Sequence, residues 1–256
     1  MPAPTNTDTH HLTYLLRQAD RALVLSHRLS EWVAHAPELE EDVAIANLAL
    51  DLVGQARVLY AAAAEIEGEG RSEDDLAYTR SDREFRNVLL VEQPNGDFAH
   101  CMVRQLLHDA YAIELWSALR ESTDPTLAGL AAKAVKETAY HLRHAATWVV
   151  RLGDGTDESR RRTVDALDDL WRFVDELFDA DEVEDALVAA GVAADPAALR
   201  AGWDRRIDAV LTDATLERPE VAHPARGGRD GQHGESLSYV LSEMRSVRVE
   251  HPGATW

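Results

Sequence analysis

The sequence predicts an all-α protein: two antiparallel helix hairpins joined by a long crossover, followed by further C-terminal helices. Three observations predict it. Ala, Leu, Val, Asp, Glu and Arg dominate while aromatic residues make up only 6 % of the 256 residues, which favours helix over sheet. Apolar positions recur at three- and four-residue spacing in long runs, and no run shows the two-residue alternation of a strand. Finally, four acidic residues fall symmetrically about two turns. The midpoint of Asp20 and Asp51 lies between His35 and Ala36, beside Pro37; that of Asp109 and Glu137 is Thr123, beside Asp124-Pro125.

The elements follow in order. Residues 1–9 read as a disordered lead-in. The first helix runs from about His11 to His35, with Leu12, Leu16, Leu23 and Val24 on one stripe and Asp20 lying on it. After Pro37, the acids Glu38, Glu40, Glu41 and Asp42 suit a helix N-terminus, where the dipole favours negative charge. The second helix continues to about Ile66, with Ile45, Leu48, Leu52 and Leu59 inward. Residues 67–94 form a long crossover with a short helical piece between Leu76 and Leu90; a connection of that length normally packs or binds something. The third helix spans about Phe98 to Arg120 and the fourth Leu127 to Leu152, stopped by Gly153-Asp154-Gly155. A fifth runs from Glu158 to Phe178. A sixth starts at Asp195-Pro196, an N-cap followed by proline at the first helical position, and ends near Leu216. Residues 217–233 read as an extended loop, and a last helix covers Ser236 to Val249. The expected division is a lead-in (1–9), one helical domain (10–216), and a loop with a final helix packed on that domain (217–256).

The charge balance excludes some functions. With 46 acidic against 26 basic side chains the formal net charge is -20, which argues against nucleic acid as a partner. Cys101 is the only cysteine, so no internal disulfide can form and a reducing compartment is expected. The N-terminus has no basic and apolar leader pattern, and no stretch reads as membrane-spanning; a cytoplasmic location is expected. No phosphate-binding glycine loop and no nucleophile elbow is present.

The acidic quartet carries the most chemistry. Ferritin-like di-iron bundles place a Glu on each of two helices and a Glu-x-x-His on the other two. Here three residues after Asp51 stands Gly54, and three after Glu137 stands Tyr140. Three arrangements would accommodate Asp20, Asp51, Asp109 and Glu137: a carboxylate-rich metal pair, an internal ion-pair network, or partial exposure to water. The ligand count disfavours metal. The network is favoured, with Arg57, Arg104, Lys133, Lys136 and Arg143 as candidate cations and Tyr140 and His141 as neutral partners, because buried charges must be paired. His141-x-x-His144 has a metal-compatible spacing but no matching pair on the second helix. His108 adjoins Asp109, and helical neighbours point apart. His223 and His233 lack spacing partners. Cys101 reads as packing, and Arg160-Arg161-Arg162 as a solvated face.

The stretches LVLSHRLSEWVAHAPELEEDVAIANLALDLVGQAR, FRNVLLVEQPNGDFAHCMVRQ, AAKAVKETAYHLRHAATWVVRLGDGT and LWRFVDELFDADEVEDAL resemble the C subunits of bacterial phenylacetyl-CoA epoxidases, over roughly residues 10–250. The resemblance implies a ferritin-like fold and a role as the structural companion of a related catalytic subunit that holds the di-iron centre. It implies heterodimers that pair again, joined by reductase and accessory subunits, in an enzyme that epoxidises the aromatic ring of phenylacetyl-CoA. It implies no catalytic residue, bound cofactor or metal ligand in this chain; Asp20, Asp51, Asp109 and Glu137 are then vestigial di-iron positions. The competing expectation is a stand-alone carboxylate-bridged di-metal oxidase.

Overall fold

The computed structural model describes residues 6–251. All regular structure among them is helical, as the sequence predicts. The chain forms two compact units: residues 1–94 with 227–256, and residues 95–226. The unit boundaries in the sequence are 94/95 and 226/227.

The first unit is built on the hairpin of α1 (Asn6–Ser30) and α2 (Leu39–Glu67). Leu15, Ala19, Ala22, Leu25 and Leu29 of α1 and Ile45, Leu48, Leu52 and Leu59 of α2 are fully or almost fully buried, at the three-, four- and seven-residue steps of a core-facing stripe. Helix α1 begins at Asn6, inside the segment expected to be disordered; residues 1–5 of that segment lie outside the described residues. It also stops five residues earlier than expected. Trp32 and Val33 donate back to Leu29 and Ser30, tightening the last turn, and Ala34 takes a left-handed conformation with φ 73°. The Asp42 carboxylate then accepts from the Ala34 and Ala36 amides at 2.9 and 3.0 Å, which fixes the turn. Helix α2 ends at Gly68, also left-handed at φ 69°, whose amide donates to Ala64. The crossover holds α3 (Glu73–Tyr78) and two single-turn 3-10 helices, Asp82–Glu84 and Leu89–Glu92. The C-terminal helix of the chain, Glu235–Glu250, packs in this unit against α1 and the crossover.

The second unit contains α4 (Phe98–Leu119), α5 (Pro125–Gly153), α6 (Asp157–Trp171), α7 (Glu182–Ala189) and α8 (Pro196–Asp213); the C-terminal helix is thus α9. Helix α4 is buried nearly all round, the mark of a central helix, and α5, α6 and α8 pack on it. Asp124 caps α5 by accepting from the Thr126 and Leu127 amides at 2.7 and 3.2 Å. Asp124→Ala is expected to cost the second unit about 1 kcal/mol, read as a lowered urea midpoint at unchanged slope.

Two boundaries differ from expectation, and one helix is additional. Gly153 is the last residue of α5 rather than its stop signal, and it is glycine because a Cβ there would stand 2.8 Å from the Ala214 carbonyl oxygen. The fifth helix breaks after Trp171, where Phe173 and Val174 donate to the residues three back, and resumes as the 3-10 turn Asp175–Phe178. The break lets Trp171 and Phe178 both contact Trp203 of α8, at ring separations of 5.7 and 5.6 Å, while the Trp203 indole N–H donates to the Leu107 carbonyl at 2.9 Å. Helix α7 was not expected from the sequence; its signal was present in Asp181, which caps Val183, followed by three acids in the first turn.

One expectation about hydropathy needs correction. Helix α2 contains an 18-residue window of mean hydropathy 1.3, of which 44 % is buried, so by length and composition it is apolar enough to cross a membrane. Its alanine-rich sequence is apolar on both sides, and one side is the core face against α1.

Candidate functional site

The four acids separate into two local settings. In the first unit, Asp20 is wholly buried on α1. One of its oxygens accepts from the Tyr60 hydroxyl at 2.5 Å and pairs with Arg80; the other accepts from Arg80 Nη1 at 3.1 Å and from the Arg86 amide at 2.7 Å. Arg80 is itself buried, lies over the Phe85 ring at 4.4 Å, and donates to the Leu76 and Glu84 carbonyls. Burial alone would lower the Arg80 pKa, but the charge of Asp20 and its hydrogen bond to the guanidinium help outweigh it and raise it. Burial first, and then the Asp20 charge, push the Tyr60 phenol well above its ordinary value. Asp20 thus takes four hydrogen bonds, two of them cationic: a buried guanidinium–carboxylate pair completed by neutral donors. Asp51 lies half-buried on α2. Gly54, one turn on, has open space where a Cβ would stand.

In the second unit, Asp109 is fully buried. Gln105 donates to both of its oxygens at 2.9 and 2.8 Å, and His108 Nδ1 lies 2.9 Å from Oδ1. Burial pushes its pKa up to about 7, against the opposing effects of His141, the Gln105 bond and His144. The expectation that His108 would point away from Asp109 is therefore wrong. The Cβ directions of neighbours diverge, but Nδ1 sits close to the backbone, and the buried ring turns it onto the adjacent carboxylate. Glu137 pairs with Lys133 one turn away at 3.0 Å. Tyr140 is exposed and stacks on His144 at 6.3 Å with Arg143 over its ring. His141 is buried beneath it.

Of the cations proposed from the sequence, Lys133 meets its acid. Arg57 turns to Glu73 at 3.5 Å, and Arg104 to Asn95 at 2.5 Å. Arg80 and Tyr60, the partners of Asp20, were missed. They lie 60 and 40 positions from Asp20, and no local signal links them. His233 likewise has a partner after all: Nδ1 lies 2.7 Å from Glu92, which is fully buried and also accepts from Asn87 Nδ2 and the Gly234 amide. Cys101 is buried, and burial raises its thiol pKa, as befits a packing residue. Arg161 and Arg162 pair with Glu158 at the surface, while Arg160 donates to the Gly153 carbonyl and to Thr215.

Residues 1–256, the whole chain, match the family model described as phenylacetic acid catabolic protein. The chain belongs to that family. It is 50 % identical over 243 residues to the C subunit of the 1,2-phenylacetyl-CoA epoxidase of Escherichia coli strain K12, an alignment that covers 95 % of this chain and 98 % of that protein. The resemblance read from the sequence is thus correct, and the helical architecture described above is the ferritin-like helical fold of the phenylacetic acid catabolic family.

Proposed function

We propose that this chain is a structural, non-catalytic subunit of a phenylacetyl-CoA epoxidase, paired in the cytoplasm with the di-iron subunit that performs the oxidation. The near end-to-end similarity to a protein named as the C subunit of that enzyme supports its place in such an assembly. The observation that carries the non-catalytic reading is the environment of Asp20. A di-iron ligand must offer a lone pair to a cation, and here Arg80, Tyr60 and the Arg86 amide already occupy both carboxylate oxygens. Metal would have to displace a buried guanidinium to bind there. Gly54 and Tyr140, which stand at the positions of the missing histidines, offer no imidazole. These residues do not fit an iron pair, and the work of the chain is then done by its surfaces.

Iron content per chain tests the reading. The chain is produced with iron supplied, alone and together with the di-iron subunit from the same genome. Iron that appears only in the joint preparation, in a complex with equal amounts of both chains, is expected. Two irons bound to the isolated chain would overturn the reading and make the acids a working centre.

A further inference from the structure

Helix α2 carries a second apolar face, opposite the one it packs on α1. Leu39, Val43, Ala46, Leu50 and Val53 follow one another at alternating steps of four and three residues, the spacing of a seam that pairs with another helix. Leu39, Val43 and Leu50 are 74, 55 and 67 % exposed, and Val53 and Val58 are exposed as well. Gly54 interrupts the line of large side chains with open space above it, and Ala46 and Ala61 are half-exposed. Small residues among large ones let a facing helix approach to about 8–10 Å. The face runs from Leu39 to Ala61, about 33 Å of helix, longer than the scattered surface apolar residues that need no explanation.

The charges at its two ends say what kind of helix fits. Glu38 and Glu40 are exposed at one end, Glu65 and Glu69 at the other. Arg57, the cation on the face itself, is turned to Glu73. A second copy of α2 would set acid against acid in the parallel arrangement and again in the antiparallel one. An anionic lipid surface would meet the same repulsion.

We propose that the outward face of α2 docks a helix of a different protein chain, one whose apolar stripe is bracketed by lysine or arginine at both ends. This rests on the subunit reading above, and deepens it by naming the surface and the chemistry of its partner. Its test uses the full-length chain and the di-iron subunit of the same genome, with the dissociation constant measured at low and high salt. Leu50→Lys and Val43→Lys are expected to weaken the complex by more than about 30-fold, as the loss of a central apolar contact does, while Val249→Lys, on the exposed side of α9, leaves it unchanged. Glu40→Lys with Glu65→Lys should weaken binding and flatten its salt dependence. Leu50 is exposed, so its substitution leaves the fold intact, and unchanged helix content by circular dichroism verifies this. A complex that forms equally well with Leu50→Lys overturns the assignment of the face while the subunit reading stands. Self-association of the isolated chain that Leu50→Lys abolishes overturns it in favour of a second copy, and vesicle binding abolished by the same change overturns it in favour of lipid. Failure of the unaltered chain to pair with the di-iron subunit in any form overturns the subunit reading, and the inference with it.

Discussion

Arg80→Leu will cost the first unit about 3–5 kcal/mol, because it leaves the Asp20 charge buried without its cation. Both side chains are almost completely inaccessible, so neither solvent nor salt can take over the neutralisation. The remaining donors, the Tyr60 hydroxyl and the Arg86 amide, are neutral and cannot replace a guanidinium that meets both carboxylate oxygens. The pair itself need not be stabilising relative to an apolar substitute, since desolvating both charges offsets most of their attraction. The double variant Asp20→Leu/Arg80→Leu should therefore recover much of the loss, and Tyr60→Phe, which removes one neutral donor, should cost only about 1–2 kcal/mol. Two compact units need not unfold in one step. The measurement is hence amide exchange in α1 and α3, both in the affected unit, alongside urea unfolding. A single variant that costs less than about 1 kcal/mol, or a double variant no better than the single, would show that the ion pair is not what holds the crossover onto α1.

The hairpins and the N-caps were legible in the sequence because their causes are local. Apolar spacing along α1, α2, α4 and α5 follows from the helical repeat, and Asp195-Pro196 announces the start of α8; Asp124-Pro125 does the same for α5, whose expected start, Leu127, is two residues late. Lys133 was assignable to Glu137 for the same reason: residues four apart share a helix face. What was not legible is how an acid chooses among distant cations. Arg57 and Arg104 were as plausible as Arg80 by count, and only the folded crossover brings Arg80 to Asp20 while leaving Arg57 at the surface beside Glu73. The missing histidines at Gly54 and Tyr140 could be read directly, since a motif absent at fixed spacing is a local fact. The ends of α1 and α6 could not, because the tightened turns that stop them depend on Asp42 in the next element and on the aromatic contacts around Trp203.

Raising the pH through the neutral range will loosen the attachment of α9 to the first unit. His233 Nδ1 faces the Glu92 carboxylate and Nε2 faces the Phe85 carbonyl at 3.0 Å, and both of these are acceptors. Glu92 also accepts from the Asn87 amide group and the Gly234 N–H. The ring can satisfy both neighbours as the imidazolium. Burial pulls its pKa down, but the bonds to Glu92 and Phe85 and the charges of Glu92 and Asp20 outweigh burial, so the folded value is raised. A raised folded value gives stability that is fully present below the unfolded pKa of about 6.5 and is lost as pH rises through the folded one. Arg28 donates to both the Glu92 and the Ser236 carbonyls, so α9 keeps one anchor when the other is lost. His233→Gln is expected to cost about 1.5–3 kcal/mol at pH 6, the range for hydrogen bonds to a charged group, and much less at pH 9. Asp109 complicates any global reading. Its pKa of about 7 gives the second unit a pH dependence of the same sign, because the protonated acid is favoured by burial. The decisive observation is exchange of the α9 amides, corrected for intrinsic base catalysis and made on an Asp109→Asn background. Protection there should fall with pH when His233 is present and stay level in His233→Gln; equal slopes in the two would mean that the imidazole does not carry the latch.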